Sequence, residues 1–355
     1  MKRNNCNFLY SIILISIILT LLTGCGSGSG SNSGQSNLIK SIPININGLN
    51  GYNNIIVALS PDQSDGYRET IKIYQQDSIN QNFLLEVSTV YTGNNTIYHV
   101  VSDVNVNNQW VTVTINESPP PFGSPPIGWI AIVPLTGSSK YSLAAMYRFD
   151  DFTNDRAVSI DNWLLVSSGA GLQLYDISVL SSPILTKSFV STSNPTCIIA
   201  IQNGFYVITN NGYGYINTSD PLNISYFEVA DINIKQAKKA YLIGSKIYIG
   251  GPSKYAGKCK IARIDISNPL SPQIDYINDT IDGTFCDFSY DVASGIYYLV
   301  NTDKVLWYWE SGGSIVNIGS ATLTAYTLSY SQSYAWNNIF YFGTPGAGLN
   351  IYKMH

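Results

Sequence analysis

A two-part pattern recurs seven times along the chain and restricts its fold more than any other feature. The first part is a turn rich in Asn, Asp, Gly or Ser followed by a dense apolar run, and the copies begin at Asn53, Asn107, Asp161, Asn203, Gly244, Ser294 and Asn337. The second part is another apolar run, and the copies end at Gln75, Val133, Asp176, Asn217, Asp265, Trp309 and Lys353. Asn-Gly, Asn-Asn and Ser-Gly tolerate the positive φ of tight hairpin turns, and β-branched and aromatic residues suit strands. Each copy therefore predicts the second strand of a hairpin and a further strand after it.

The spacing of the copies predicts a propeller. Six intervals between Gln75 and Lys353 span 278 residues, a mean near 46, which suits four-stranded blades. Many runs are apolar on consecutive residues, as in Leu164-Leu165-Val166, and this is typical of sheets covered on both faces. We therefore expect an all-β fold, a β-propeller of about seven four-stranded blades over residues 38–355, with the longer gaps forming loops on one face.

A short sequence motif that occurs twice predicts how the ring of blades closes. GAGLQLYD at Gly169 to Asp176 returns as GAGLNIYK at Gly346 to Lys353, close to the end of the chain. No Lys-Ser/Thr pair follows either copy, so the glycines favour a bend entering a crowded strand over a phosphate loop. The segment Leu38 to Ile42 is similar to Ile184 to Phe189, which follows the first copy. We expect the N-terminal segment to pair beside Gly348 to Lys353 and supply the missing outer strand.

A second architecture is also consistent with the pattern. The segment from Leu38 to about Pro120 would form a β-sandwich, and the Pro-rich stretch Glu117 to Pro126 would link it to a smaller propeller. The spacing from Asn53 to Asn107 equals that from Asn107 to Asp161, 54 residues in both cases. Because the pattern crosses the supposed boundary, we favour the single propeller.

The first 37 residues predict an exported, lipid-anchored protein. Lys2 and Arg3 precede an apolar run from Phe8 to Leu22, which has the length of a signal-peptide core. The quartet Leu-Thr-Gly-Cys ending at Cys25 resembles the lipobox of bacterial lipoproteins. That resemblance implies that residues 1–24 are a signal peptide and that Cys25 receives a diacylglyceryl group and is N-acylated. Residues 25–37 then form a Gly/Ser-rich tether, and several acyl chains hold the domain to the membrane.

The same segment predicts where the protein resides. Lipid modification implies an extracytoplasmic location in the cell envelope. Gly26 follows Cys25 and is not the Asp that resembles an inner-membrane retention signal. We therefore favour the outer membrane or the cell surface.

The charge of the chain limits its partners. The 19 basic residues include Lys2 and Arg3, so 17 remain against 23 acidic ones after removal of the signal peptide, a formal charge of −6. Neither nucleic acid nor anionic headgroups release counterions to such a surface, so we expect no nucleic-acid partner. Membrane contact through the lipid and an unknown protein or glycan partner are expected instead.

A family resemblance is carried by the ends of three apolar runs. Asp265 to Pro272, DISNPLSP, resembles the signature of LVIVD-repeat proteins, in which an apolar strand ends in Asp and is followed by Val/Ile-Ser-Asp/Asn-Pro and a second Pro. Asp176 to Pro183 and Asn217 to Pro221 are partial copies. The resemblance implies a β-propeller, often on exported bacterial proteins, without a defined biochemical role. Five of the seven copies lack the Asp: Asn217 stands there in one partial copy, and Gln75, Val133, Trp309 and Lys353 stand there in the other four.

Few residues point to catalysis or metal binding. His99 lies in a strand-like run and His355 is terminal, and no nucleophile motif accompanies either. Two acidic clusters are calcium candidates, or glycosidase carboxylates if a partner lies about 5 to 10 Å away; they comprise Asp150, Asp151 and Asp155, and Asp62, Asp65 and Glu69. Solvated acidic loops account for both clusters more simply, so no cofactor is expected.

Cysteines and aromatics supply the remaining candidates. Cys197, Cys259 and Cys286 follow the tether, and both a Cys259–Cys286 disulfide and buried thiols fit an exported protein. Trp307, Tyr308 and Trp309 form a candidate binding platform, because such rings stack on sugars and anchor protein partners. Packing between blades also explains them, and Trp309 is the best candidate because it stands where better copies carry Asp.

Three functions fit these features. We favour a non-enzymatic binding or scaffolding propeller on the cell envelope. The alternatives are an envelope hydrolase that acts on glycans through carboxylates around the central channel, and a structural subunit of an outer-membrane assembly.

Overall fold

The computed structural model describes residues 37–62, 68–77, 84–91, 99–117, 127–150, 156–168, 171–191, 193–302, 304–312, 314–322, 332–344 and 348–354. The regular structure of these residues is entirely β-strand. Within these ranges no helix is long and apolar enough to cross a membrane.

The described residues form 28 strands. In chain order they are β1 (Asn37–Ile42), β2 (Gly48–Tyr52), β3 (Ile55–Asp62), β4 (Arg68–Gln76), β5 (Leu84–Tyr91), β6 (His99–Val106), β7 (Trp110–Glu117), β8 (Ile127–Pro134), β9 (Ala145–Asp150), β10 (Ala157–Ile160), β11 (Trp163–Ser168), β12 (Gly171–Asp176), β13 (Ile184–Phe189), β14 (Pro195–Ile201), β15 (Gly204–Thr209), β16 (Gly212–Asn217), β17 (Ser225–Ala230), β18 (Lys239–Ile243), β19 (Lys246–Pro252), β20 (Lys258–Asp265), β21 (Gln273–Asp282), β22 (Phe285–Asp291), β23 (Ile296–Asn301), β24 (Val305–Ser311), β25 (Ser314–Ala321), β26 (Gln332–Trp336), β27 (Ile339–Thr344) and β28 (Gly348–Lys353).

The strands form seven four-stranded antiparallel sheets arranged as a ring. Blades 1 to 6 take four consecutive strands each, starting from β2, and blade 7 consists of β26, β27, β28 and β1. The first strand of each blade contacts its counterpart in the next blade all round the ring, including β26 against β2, so these strands surround the axis. The predicted seven-bladed propeller is confirmed. The β-sandwich alternative is wrong, because residues 38–120 supply β1, the whole of blade 1 and two strands of blade 2.

The ring is closed by the two ends of the described chain. Strand β1 pairs antiparallel with β28, with Asn37 opposite Lys353 and Ile42 opposite Leu349. We call this pairing the clasp. It confirms the expected position of Leu38 to Ile42, and it covers the edge that β28 would otherwise expose.

The hairpin turns adopt the backbone that their sequences favour. Asn53, Asp161, Asn203 and Asn337 have φ between 51° and 63° in the turns that join the first and second strands of their blades. Asn and Asp enter this left-handed region more readily than other residues with a side chain, so the polar turn residues set the register of each hairpin.

The repeated GAGL motif lies where a strand begins close to the backbone of a neighbouring strand. Gly171 and Gly348, the second glycine of each copy, begin β12 and β28 with φ of 129° and 85°. A Cβ atom on Gly171 would lie 2.1 Å from the carbonyl oxygen of Phe189, and one on Gly348 would lie 2.5 Å from that of Ile42. In both blades the outermost strand crosses here, so the position requires glycine.

The core lies between blades, as consecutive apolar residues predict. Leu164 and Leu165 in β11 are both fully buried, but they belong to different apolar clusters on the two faces of blade 3. Burial of both faces explains why these strands do not alternate between apolar and polar residues.

The LVIVD-like motifs form turns at the ends of three blades' third strands. The carboxylate of Asp265 accepts a hydrogen bond from the backbone N–H of Ser267 at 2.8 Å, and Asp176 accepts one from Ser178 at 2.8 Å. The amide oxygen of Asn217 accepts one from the N–H of Ser219 at 3.0 Å. These Asx turns redirect the chain toward the outermost strand.

Candidate functional site

A cavity of about 290 Å³ opens at the end of the central channel where the innermost strands begin. We call this end the upper channel. Each blade contributes at least one polar side chain or thiol to its lining, and in blade order these are Asn50, Asp103, Arg156, Cys197, Lys239, Asp287 and Gln332. The innermost strands carry these groups toward the axis, so seven residues distant in sequence share one site.

Two ion pairs cross between blades inside the upper channel. Arg156 Nη1 lies 3.0 Å from Asp103 Oδ1 and joins blade 3 to blade 2. Lys239 Nζ lies 3.2 Å from Asp287 Oδ2 and joins blade 5 to blade 6. The two pairs contribute two cations and two carboxylates, and Lys238 also lines the cavity.

Blade 7 joins the second pair. The Oδ2 atom of Asp287 also accepts hydrogen bonds from the backbone N–H of Ser333 and, at 2.8 Å, from the Ser333 hydroxyl. Lys239 in turn donates to the Ser333 carbonyl oxygen. Asp287 is therefore a junction of three blades, and its oxygen is saturated by protein donors.

Burial controls the protonation of the remaining groups. Desolvation raises the pKa of Asp103 above its usual value, and the nearby Arg156 and Lys239 oppose that rise. Burial also raises the pKa of the Cys197 thiol to about 12. A thiol that stays protonated at neutral pH is a poor nucleophile, so the channel chemistry is that of paired charges.

The lower half of the channel is lined by amides and aromatic rings. Its cavity of about 280 Å³ shares Asn50, Asn105, Ile198 and Ala240 with the upper channel, so the two cavities form one passage. The Asn50 amide donates to the Val104 carbonyl oxygen at 2.8 Å. The Tyr334 hydroxyl donates to the Asn53 carbonyl oxygen at 2.8 Å. These polar groups link neighbouring blades, as the ion pairs do above.

The three consecutive aromatics of β24 do not form one platform. Trp307 packs in the cluster between blades 6 and 7, and Tyr308 packs in the cluster between blades 5 and 6. Both are almost fully buried, whereas the side chain of Trp309 is 56% exposed. Strand alternation places Tyr308 on the opposite face of the sheet from Trp307, and of the three rings only Trp309 is exposed.

Several sequence candidates lie outside the described residues. They are Cys25, Asp65, Asp151, Asp155, His355 and the side chains of Asp62, Glu69, His99 and Asp150. Across the part of the chain that the structure describes, no group of three or more His, Cys, Asp or Glu residues is arranged to hold a metal ion.

The two candidate partners for a disulfide are thiols in this structure. Cys259 is buried and its Sγ donates to the Gly283 carbonyl oxygen at 2.9 Å. Burial raises the pKa of the Cys259 thiol to about 12. The Cys286 Sγ contacts the Thr284 carbonyl oxygen at 3.6 Å.

The ion pairs of the upper channel were missed at the level of sequence. Asp103 and Arg156 stand 53 residues apart, and Lys239 and Asp287 stand 48 apart, close to one repeat in each case. The pattern that identifies them is a charged residue in or directly before an innermost strand, with the opposite charge about one repeat later.

Comparison with known proteins supports the β-propeller fold but does not assign the chain to a family. No protein-family model matches the chain, and no curated protein matches it. Solved structures do match: a chain of the Mitotic Checkpoint Complex gives a TM-score of 0.63 at 10% identity, covering 93% of this chain and 94% of that one. The β-propeller domain of Myceliophteria thermophila Cps50 (Swd1) gives 0.61 at 9% identity, covering 90% and 100%.

A bacterial enzyme also matches. The periplasmic gluconolactonase PpgL of Pseudomonas aeruginosa gives a TM-score of 0.56 at 11% identity, covering 89% of this chain and 90% of that one. At such identities the likeness concerns the fold alone. The chain is a seven-bladed β-propeller whose channel holds two ion pairs between neighbouring blades.

Proposed function

We propose that the protein is a membrane-anchored extracytoplasmic bacterial lipoprotein whose propeller is a non-enzymatic binding or scaffolding module for a protein or glycan partner. The observation that carries the non-enzymatic part is the pairing of the channel charges: Asp103 with Arg156, and Asp287 with Lys239. A catalytic carboxylate must reach a substrate proton, whereas these carboxylates are engaged by cations from neighbouring blades.

The anchor is supported by the sequence of the first 25 residues. The positive start, the apolar run from Phe8 to Leu22 and the quartet ending at Cys25 occur in the order of a lipoprotein signal. The sequence motifs at Asp176, Asn217 and Asp265 resemble those of LVIVD-repeat proteins, which are often exported, and this resemblance supports the same location.

Metabolic labelling tests the anchor. Cells that express the wild type or Cys25→Ser are grown with an alkyne analogue of palmitate, and the label is detected after purification of the protein. We expect label on the wild type and none on the variant. Equal labelling of the two proteins would refute Cys25 as the lipidation site.

Crosslinking in intact cells tests the binding module. We expect the wild type to crosslink to a partner, and a control protein that carries residues 1–37 without the propeller to give no such crosslink. A partner present at constant stoichiometry would favour a structural subunit of an envelope assembly over a transient binding module.

A glycan hydrolase is the second candidate, because two carboxylates line the channel and a periplasmic enzyme has a similar fold. The purified protein is incubated with peptidoglycan and common polysaccharides, beside Asp103→Asn and Asp287→Asn. Turnover that one of these substitutions abolishes would replace the proposal. Binding without turnover supports it.

A further inference from the structure

Exposed apolar side chains concentrate on one end of the propeller. We define the lower face as the end formed by the turns between first and second strands, the connections between third and fourth strands, and the strand termini beside them. Of the sixteen exposed large apolar side chains among the described residues, eleven belong to this face. They are Leu38, Tyr52, Leu143, Val179, Ile184, Leu185, Leu222, Leu270, Val292, Trp309 and Val316.

These side chains are spread over the whole ring. Every blade contributes at least one, from Tyr52 in blade 1 to Leu38 in the clasp strand of blade 7. Leu222 and Leu270 occupy equivalent positions in the connections of blades 4 and 5 and are 91% and 65% exposed. Scattered single apolar residues are ordinary on a soluble protein, but here at least one lies at the same end of every blade.

One of the exposed side chains on the lower face is a tryptophan, Trp309. The chain has six tryptophans, all described, and only Trp309 is exposed. It pairs across the outer hairpin of blade 6 with Val316, which is also exposed. A ring with an apolar body and an N–H group suits the boundary between water and acyl chains, where tryptophan is enriched in membrane proteins.

The chain from the proposed anchor enters at the same face. Strand β1 starts at Asn37, opposite Lys353, the last residue of β28. Eleven residues, Gly26 to Ser36, separate Asn37 from Cys25. Even fully extended, such a segment reaches only about 40 Å. To bring the opposite face to the bilayer, the segment would use about 20 Å of that reach along a blade, because a six-residue strand such as β1 has that length.

We propose that the lower face rests on the membrane interface, with Trp309, Leu222, Leu270 and their neighbours in contact with the headgroup and upper acyl region. This inference rests on the proposed lipidation of Cys25, which keeps the bilayer within reach. Because the mature chain is acidic, the contact depends on apolar side chains and not on attraction to anionic lipid.

Fluorescence quenching of the full lipidated protein in vesicles tests the contact. The vesicles contain phosphatidylethanolamine and phosphatidylglycerol with bromine at a shallow acyl position. We expect bromine to quench the wild type, and Trp309→Phe, which keeps an apolar ring but removes the reporter, to lose more than half of that quenching. Raising the phosphatidylglycerol fraction should leave the quenching unchanged.

Matched variants locate the contact on one face. Leu222→Asn with Leu270→Asn should weaken the quenching of Trp309 by about half or more. Val190→Asn with Ile232→Asn, on exposed residues near the opposite end of the blades, should leave it at the wild-type level.

The outcomes separate this inference from the proposed function. If the wild type floats with vesicles and carries the lipid label but Trp309 is not quenched, the anchor stands and the docking is wrong. If the protein neither floats nor carries the label, both are wrong. Burial of Trp309 against a second copy or a partner protein, seen as a crosslink without bromine quenching, would also overturn the docking.

Discussion

Arg156 Nη1 lies 3.0 Å from Asp103 Oδ1 and fastens blade 3 to blade 2 at the upper end of the channel. The two side chains are 21% and 20% exposed, so the pair is largely withdrawn from solvent. Lys239 and Asp287 make the same kind of connection across the ring. A propeller gains most of its stability from contacts between neighbouring blades, and these pairs add specific contacts where the blades converge.

Removing the cation of the first pair should destabilise the protein. Arg156→Met leaves Asp103 without its partner in a poorly solvated site, and we expect the free energy of unfolding to fall by about 2 kcal/mol. Urea titration followed by circular dichroism measures the change.

Lys72→Met is the control for that experiment, because Lys72 lies 3.7 Å from Glu86 in a more exposed pair. The expected loss there is below about 0.5 kcal/mol. Similar losses in the two variants would show that the channel pair is an ordinary surface contact.

Stability should rise above pH 8 because of one buried lysine. Lys260 is 2% exposed, and its Nζ donates to the carbonyl oxygens of Asn233, at 3.0 Å, and Lys235. Burial lowers the pKa of Lys260 to about 8. Between this value and the ordinary lysine pKa near 10.4 the unfolded chain binds the extra proton, so stability increases with pH in that window.

The pH dependence of the unfolding free energy is compared between the wild type and Lys260→Met by chemical denaturation from pH 7 to pH 10.5. The wild type should gain about 3 kcal/mol relative to the variant across the window. Lys258→Met, on the more exposed pair with Asp282 in the same strand, should follow the wild-type curve. A wild-type advantage that stays flat with pH would show that Lys260 does not lose its proton in the folded state.

Deleting Leu38 to Ile42 should open the ring. The deletion removes the residues of β1 that pair with Leu349 to Tyr352, so β28 becomes an exposed edge. We expect the melting temperature to fall by about 10 °C or more, with faster hydrogen exchange at the β28 amides.

A deletion of equal length, Gly28 to Asn32, controls for shortening the N-terminal segment. It should leave melting within about 1 °C of the wild type. An unchanged melting temperature after loss of Leu38 to Ile42 would mean that the clasp does not stabilise the propeller.

Substituting the repeated glycine should combine crowding with a backbone conformation, φ of 129°, that glycine adopts far more readily than other residues. Gly171→Ala places a Cβ atom 2.1 Å from the Phe189 carbonyl oxygen, and we expect a loss of about 3 kcal/mol or more in unfolding free energy. Gly244→Ala also requires a positive φ, 59°, but its Cβ meets open space. Its expected cost is only about 1 kcal/mol. Equal costs would mean that the outer strand moves aside freely.

The local sequence pattern was sufficient to predict the number of blades and the way in which the ring closes. The polar turns before dense apolar runs, as at Asn53 and Asn203, predict hairpins because few residues accept the left-handed backbone. Doubly apolar strands such as Leu164-Leu165-Val166 predict burial of both faces. The likeness of the two GAGL phrases predicts the clasp because both glycines meet an outermost strand.

The local sequence pattern was insufficient to predict which candidate residues form a site. The run Trp307-Tyr308-Trp309 suggested one binding platform, but strand alternation and the neighbouring blades bury the first two rings and expose the third. Their exposure depends on how far the adjacent blade extends along β24, and no feature of the run itself specifies that.

What the sequence determined by itself was therefore the repeating unit, its count and its closure, since these follow from backbone preferences and from the period of apolar residues. The tertiary structure alone decided which side chains meet. Asp103 and Arg156 lie 53 residues apart and come within 3.0 Å because the ring brings the first strand of every blade to one axis. The lower face likewise exists only once seven separate connections lie side by side.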